Sequence, residues 1–183
     1  MTLDDLQRDV RTVFLGGFAG QLVSGAIWLL SAALATWSSP RPAIIALLVG
    51  GFFIFPLTML TLRLMGRRPS LPPGHPMNGL AMQVAFTVPL NLPLVGAATL
   101  YRLDWFYPAA MIVVGTHYLP FIFLYGMWQF GVLAGTLIAG GLAIGLYGGG
   151  MFSLGAWVTA VALLVFAFVG RAAASPRETE VRR

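Results

Sequence analysis

Cysteine and lysine are both absent from the 183 residues, and charge is scarce: six acidic and eleven basic side chains, every basic one an arginine. Without cysteine the chain can form no disulfide, thiolate nucleophile, thiolate metal site or S-palmitoyl anchor. Without lysine it forms no Schiff base, which excludes retinal-type pigments and pyridoxal chemistry. Between Val13 and Gly170 only Arg41, Arg63, Arg67, Arg68, Arg102 and Asp104 are charged, all in or beside breaks between apolar runs. Soluble domains are about one quarter charged. This chain is 9% charged and 58% hydrophobic, too little polar surface for a soluble exterior.

The apolar runs instead suit a bilayer, whose ~30 Å hydrocarbon core needs ~20 apolar residues per helix. Six spans are expected, at 13–37, 43–62, 78–100, 106–128, 130–146 and 151–170. Ser38-Ser39-Pro40-Arg41-Pro42 stops the first, because proline restricts the residue before it and cannot continue a helix. The stretch from Gly66 to Pro76 is the longest loop, Tyr101 to Asp104 forms another, and Gly148-Gly149-Gly150 separates the last two spans. Trp128-Gln129-Phe130-Gly131 offers almost no loop, so a very tight turn or a kinked continuation is expected there. Five tryptophans, Trp28, Trp37, Trp105, Trp128 and Trp157, fall mostly near span ends and read as interfacial anchors, with Trp28 deeper.

Six spans put both termini and the 63–76 loop on one side, with nine of the eleven arginines; only Arg41 and Arg102 lie opposite. The positive-inside rule makes that richer side cytoplasmic. The expected fold is therefore all-α, a polytopic helical bundle of six transmembrane helices with cytoplasmic N and C termini, in the inner membrane. Residues 1–12 read as an amphipathic interfacial lead-in, 13–170 as one membrane domain, and 171–183 as a charged cytoplasmic tail. In the lead-in, Thr2 and Asp5 have capping-box spacing, and Leu3, Leu6 and Val10 share a face. The start is acidic and lacks a small-residue cleavage site, so the first apolar segment is expected to stay as a helix rather than act as a signal peptide. A basic pI of about 10.5 would suggest nucleic acid on a soluble protein, but here topology accounts for the arginines and no nucleic-acid partner is expected.

Small residues four apart mark helix-packing faces: Gly16, Gly20 and Ser24 in span one, Gly131 and Gly135 in span five, then Gly141 and Gly145. Such faces serve internal packing or a homo-oligomer seam. Polar groups at depth must find partners or line a cavity. Span three carries Gln83, Thr87 and Asn91 on one stripe, with Pro89 and Pro93 weakening the helix around its midpoint. His117, the only histidine within a span, lies near the middle of span four beside Tyr118 and Pro120, with Tyr125 seven residues beyond Tyr118. Short connection makes spans three and four antiparallel neighbours, so Asn91 and His117 are expected at similar depth, where they could meet. Gln21, Ser24, Gln83, Tyr125 and Gln129 extend this polarity toward the cytoplasmic side.

No carboxylate lies within a span, which argues against a proton or sodium relay. Paired carboxylates and phosphate loops are missing, and His75 and His117 sit at different depths, so no catalytic pair, metal site or cofactor is expected. Ser24 or Ser31 could supply a Ser–His dyad only by type, since neither has a nucleophile-elbow context.

The segment Gly115-Thr116-His117-Tyr118-Leu119-Pro120-Phe121, with Leu124-Tyr125-Gly126-Met127, resembles a motif from a family of uncharacterised bacterial six-span membrane proteins. Pro89-x-Asn91-x-Pro93 is compatible with it. The resemblance implies a fold and carries no activity. The residues themselves point to a membrane protein that binds a neutral or amphipathic small molecule or lipid around Asn91, His117, Tyr118, Gln83, Thr87, Gln21 and Tyr125, in the form of a small transporter. The alternatives are an accessory subunit whose polar groups only fix packing, and an intramembrane enzyme using His117 as acid or base.

Overall fold

A computed structural model describes residues 2–148 and 150–174. Gly149 and the expected tail beyond Ala174 lie outside the described residues. The described chain is helical: α1 (Leu3–Phe14), a 3-10 turn (Leu15–Gly17), α2 (Phe18–Trp37), α3 (Pro40–Leu64), α4 (Met77–Tyr101), a second 3-10 turn (Leu103–Trp105), α5 (Phe106–Tyr125), α6 (Gln129–Tyr147) and α7 (Leu154–Ala174). Six segments are long and apolar enough to cross a membrane. The architecture is a polytopic helical bundle.

Local chemistry explains most boundaries. Ser39 is extended, and Pro40 and Pro42 open the first turn of α3, where a missing N–H costs nothing. Thr2 caps α1: its hydroxyl accepts from Asp5 N–H and the Asp5 carboxylate accepts from Thr2 N–H at 2.9 Å, a complete capping box. The fourth span ends at Tyr125, earlier than its expected end at 128, because Gly126 takes a left-handed conformation (φ 62°) that closes the helix. Only Gly126, Met127 and Trp128 join α5 to α6.

The first span also differs from expectation. It starts at Phe18, because Leu15, Gly16 and Gly17 all have positive φ and break the chain between α1 and α2. Two glycines adopt this geometry freely, and Leu15 costs about 1–2 kcal/mol. Gly16 therefore does not continue the face of Gly20 and Ser24. It makes a close backbone approach to Gly170 of α7, where any side chain would strike the Gly170 carbonyl.

Two pairs form the centre of the bundle, α2 with α7 and α5 with α6, joined through α6 and α7. Helix α3 packs on the outside of α2, and α4 on the outside of α5. The core holds Tyr107, Met111, Phe130, Leu133, Leu137 and Leu163. Tyr107 pairs with Ser31 at 2.6 Å, and Ser31 donates to the Ala43 carbonyl at 2.8 Å, a buried link between α2, α3 and α5. Trp28 is buried against Tyr107, whereas Trp37 and Trp128 are exposed near helix ends.

The helix-packing glycines divide. A Cβ at Gly141 would meet the Pro108 carbonyl at 2.8 Å and Ile112 at 2.9 Å, and one at Gly145 would touch Pro108 at 3.4 Å. At Gly131 it would press Ile122 at 3.0 Å. These three let α6 lie close to α5. Gly20 faces Thr58 of α3 at 3.9 Å, and Ser24 is buried. Gly135 meets nothing within 4 Å. Gly115, a glycine outside the expected stripes, is also tight against α6, its Cβ position lying 2.7 Å from Ile138 and 3.0 Å from the Ala134 carbonyl.

Candidate functional site

His117 is the twelfth of the 20 residues of α5, and Thr87 the eleventh of the 25 of α4, so both sit near mid-helix. The His117 Nδ1 lies 2.9 Å from the Val84 carbonyl and 2.8 Å from the Thr87 hydroxyl. A carbonyl oxygen can only accept, so Nδ1 carries the proton in the neutral ring. The Thr87 hydroxyl also lies 2.7 Å from the Val84 carbonyl and donates to it. The tautomer follows from this network: Nδ1–H is used, and Nε2 is left as a bare acceptor. Nε2 makes no hydrogen bond to any described residue.

Asn91 does not reach His117. Its side-chain amide donates back to the Thr87 carbonyl at 2.7 Å, one turn along α4. The contact falls in the stretch where Pro89 and Pro93 withhold two backbone donors, and α4 nevertheless runs unbroken through both prolines. Asn91 and His117 are thus joined through Thr87 rather than directly. Gln83 is exposed on the outer surface of α4. Thr116 is exposed beside His117, its hydroxyl turned back to the Val113 carbonyl at 2.9 Å.

Behind the imidazole lies a set of rings. His117 contacts Phe121 at 5.0 Å and Tyr118 at 5.5 Å between centroids. Phe130 of α6 contacts Phe121 at 5.2 Å, Tyr125 at 4.9 Å and Tyr118 at 6.0 Å. Tyr118 and Tyr125 are both buried in this cluster. The expected polar wedge is therefore two groups separated by aromatics: Thr87, Asn91 and His117 between α4 and α5, and Gln21 with Gln129 beyond Phe130. These last two line one slit with Met127, Phe130, Phe166 and Gly170. Neither Ser24 nor Ser31 pairs with His117; Ser31 is committed to Tyr107 and Ala43. His75 contacts Asp9 at 3.4 Å, and no cluster of three metal-ligating side chains occurs among the described residues.

The role of α1 was not readable from its sequence. Gln7 donates to the Phe123 carbonyl at 2.6 Å and Arg11 to the Tyr125 carbonyl at 2.6 Å. These are carbonyls of the last turn of α5, which the helix itself cannot satisfy. A guanidinium is favoured there by the negative end of the helix dipole. Gly126 leaves the room, since a Cβ would collide with Gln7. Val10 is 1% exposed, so α1 is a strap docked across the end of α5. Its only advance signal was the pairing of Gln7 and Arg11 four apart beside Val10.

No curated protein and no solved structure matches this chain. A family model described only as a family of unknown function, DUF7010, matches residues 3–172. That match covers nearly the whole chain, which therefore belongs to this family of unknown function.

Proposed function

We propose that this protein binds a neutral or amphipathic small molecule or lipid at mid-membrane depth, with His117 Nε2 as the accepting atom. The observation that supports this is the division of labour in the imidazole. Nδ1 is fixed by Val84 and Thr87, which orients the ring and leaves Nε2 without a partner in a part-exposed residue. An unpaired acceptor in hydrocarbon is costly, and a ligand hydroxyl or amide N–H would relieve that cost. Neither α4 nor α5, the helices that hold His117 and its partners, contains a charged residue, which favours a neutral ligand over an ionic one. The ligand would enter sideways, past the outer helix α4, which packs chiefly on α5. Movement of such a ligand across the bilayer, as in a small transporter, is supported by the two prolines that weaken α4 at this level.

A second reading has its own observation. The Nδ1 contacts are the only side-chain hydrogen bonds between α4 and α5 among the described residues, so His117 also suits a structural pin in an accessory subunit. His117→Asn separates the two readings, because the Asn amide can keep the donor at the Nδ1 position while removing Nε2. We expect His117→Asn to fold with near wild-type thermal stability and to lose capture of photoreactive neutral lipid probes. Unchanged labelling in a folded His117→Asn protein would leave only the structural pin. His117→Ala would lose both functions and serves as the reference.

A further inference from the structure

We propose that the groove between the start of α3 and the second 3-10 turn holds an anionic phospholipid, with Arg41 on its phosphate and the upper part of an acyl chain along Ile44 and Ile45. The groove has a volume of about 470 Å³ and is lined by Ser39, Pro40, Arg41, Ile44, Ile45 and Leu103. That volume is within the ~300–1,000 Å³ typical of small-molecule sites. The groove exists because α3 packs on α2 while α4 packs on α5, so α3 and the turn after α4 share no extensive contact. It lies at the rim opposite α1, about half the length of α5 from His117.

The lining changes in polarity along α3. Ser39 and Arg41 stand at the helix start, Ile44 and Ile45 come one turn deeper, and Leu103 supplies the other wall. A phospholipid has the same order, phosphate at the rim and hydrocarbon below it. A soluble anion gains nothing from the isoleucines. Trp37 and Tyr101 are largely exposed at the ends of α2 and α4, which places headgroup level at this rim. Charge then selects the lipid. Among the described residues this rim carries three charged side chains, Arg41, Arg102 and Asp104. Arg102 is committed to Asp104, its Nε 3.2 Å from one carboxylate oxygen and its Nη2 2.6 Å from the other. Arg41 has no hydrogen bond or ion pair with any described residue, so one positive charge is left uncompensated. A guanidinium meets a phosphate through two parallel N–H bonds. The Ser39 side chain caps no backbone group, which leaves its hydroxyl to donate alongside. A zwitterionic headgroup would bring an ammonium that competes for its own phosphate and repels Arg41, so a net negative headgroup fits better.

The test uses the full-length protein in detergent, with native mass spectrometry reading lipid retention. The probes are phosphatidylglycerol, phosphatidylcholine with the same acyl chains, and inorganic phosphate. Arg41→Gln removes the charge at the groove, and Arg63→Gln removes an equal charge from the other end of α3. Ile45→Trp fills the groove and leaves Arg41 in place. All three side chains are exposed, so the variants should fold as wild type does. Arg41→Gln is expected to retain phosphatidylglycerol about fivefold less well than wild type, the share one basic side chain supplies at an anionic surface. Ile45→Trp should show a loss of similar size, and Arg63→Gln should stay close to wild type. Phosphatidylcholine retention should not change in Arg41→Gln, and inorganic phosphate in large excess should displace no lipid. Equal losses in Arg41→Gln and Arg63→Gln would overturn the proposal, because net charge alone would then explain them. Undiminished phosphatidylglycerol retention in either Arg41→Gln or Ile45→Trp would also overturn it, as would displacement by inorganic phosphate, which would make the ligand a soluble anion.

Discussion

Single residues decide how closely the helices approach, and glycine position matters more than glycine spacing. Gly135 and Gly141 both belong to small-residue runs in α6, yet one faces open space and the other faces the Pro108 carbonyl. A backbone carbonyl cannot rotate away as a side chain can. Gly141→Ala should therefore separate α5 from α6 and cost about 1–3 kcal/mol, the usual range for overpacking. Gly135→Ala should stay within about 0.5 kcal/mol of wild type, as surface changes do. Thermal unfolding of the two proteins in the same detergent measures the contrast, and similar melting temperatures would contradict it. The spacing of four was legible in the sequence. Which side of α6 met α5 was not, because α6 is apolar on every face and its periodicity points nowhere.

At the scale of elements, local rules carried the boundaries. Thr2 with Asp5, Pro40 at the start of α3 and Gly126 after α5 are stop and start signals whose reasons lie within a few residues. Contacts between elements distant in sequence were not accessible in that way. Nothing near Gln7 or Arg11 announces the carbonyls of Phe123 and Tyr125, and the left-handed run Leu15–Gly17 gains its purpose only from the nearby Gly170 backbone. At the candidate site, the mid-helix positions of His117 and Thr87 could be read from the sequence, but the exposure of Gln83 and the pairing of His117 with Thr87 in place of Asn91 depend on helix rotation, which spacing alone does not set. The strap can be tested directly. Arg11→Ala removes a charged hydrogen bond to a helix terminus, worth about 1.5–3 kcal/mol. Amides of residues 3–14 should exchange hydrogen markedly faster in that variant while those of α6 and α7 stay protected. Unaltered exchange in α1 would mean that Val10 and its neighbours hold the strap without the guanidinium.

For the whole molecule, the sidedness of the arginines makes a prediction independent of any ligand. The chain lacks cysteine, so single substitutions report cleanly. Ser70→Cys, in the loop between α3 and α4, should resist a membrane-impermeant maleimide added to intact cells, and Ser38→Cys, between α2 and α3, should react. The reverse pattern would invert the molecule and move α1, the Gln21–Gln129 slit and both termini to the outside. The strap also orders the events of synthesis. Its donors precede their acceptors, at the end of the fourth span, by 116 and 114 positions. During translation Gln7 and Arg11 have no carbonyls to meet until α5 has been made through its last turn. The strap therefore cannot close before α5 is complete, and a chain whose α5 ends away from α1 leaves Val10 and its apolar neighbours uncovered.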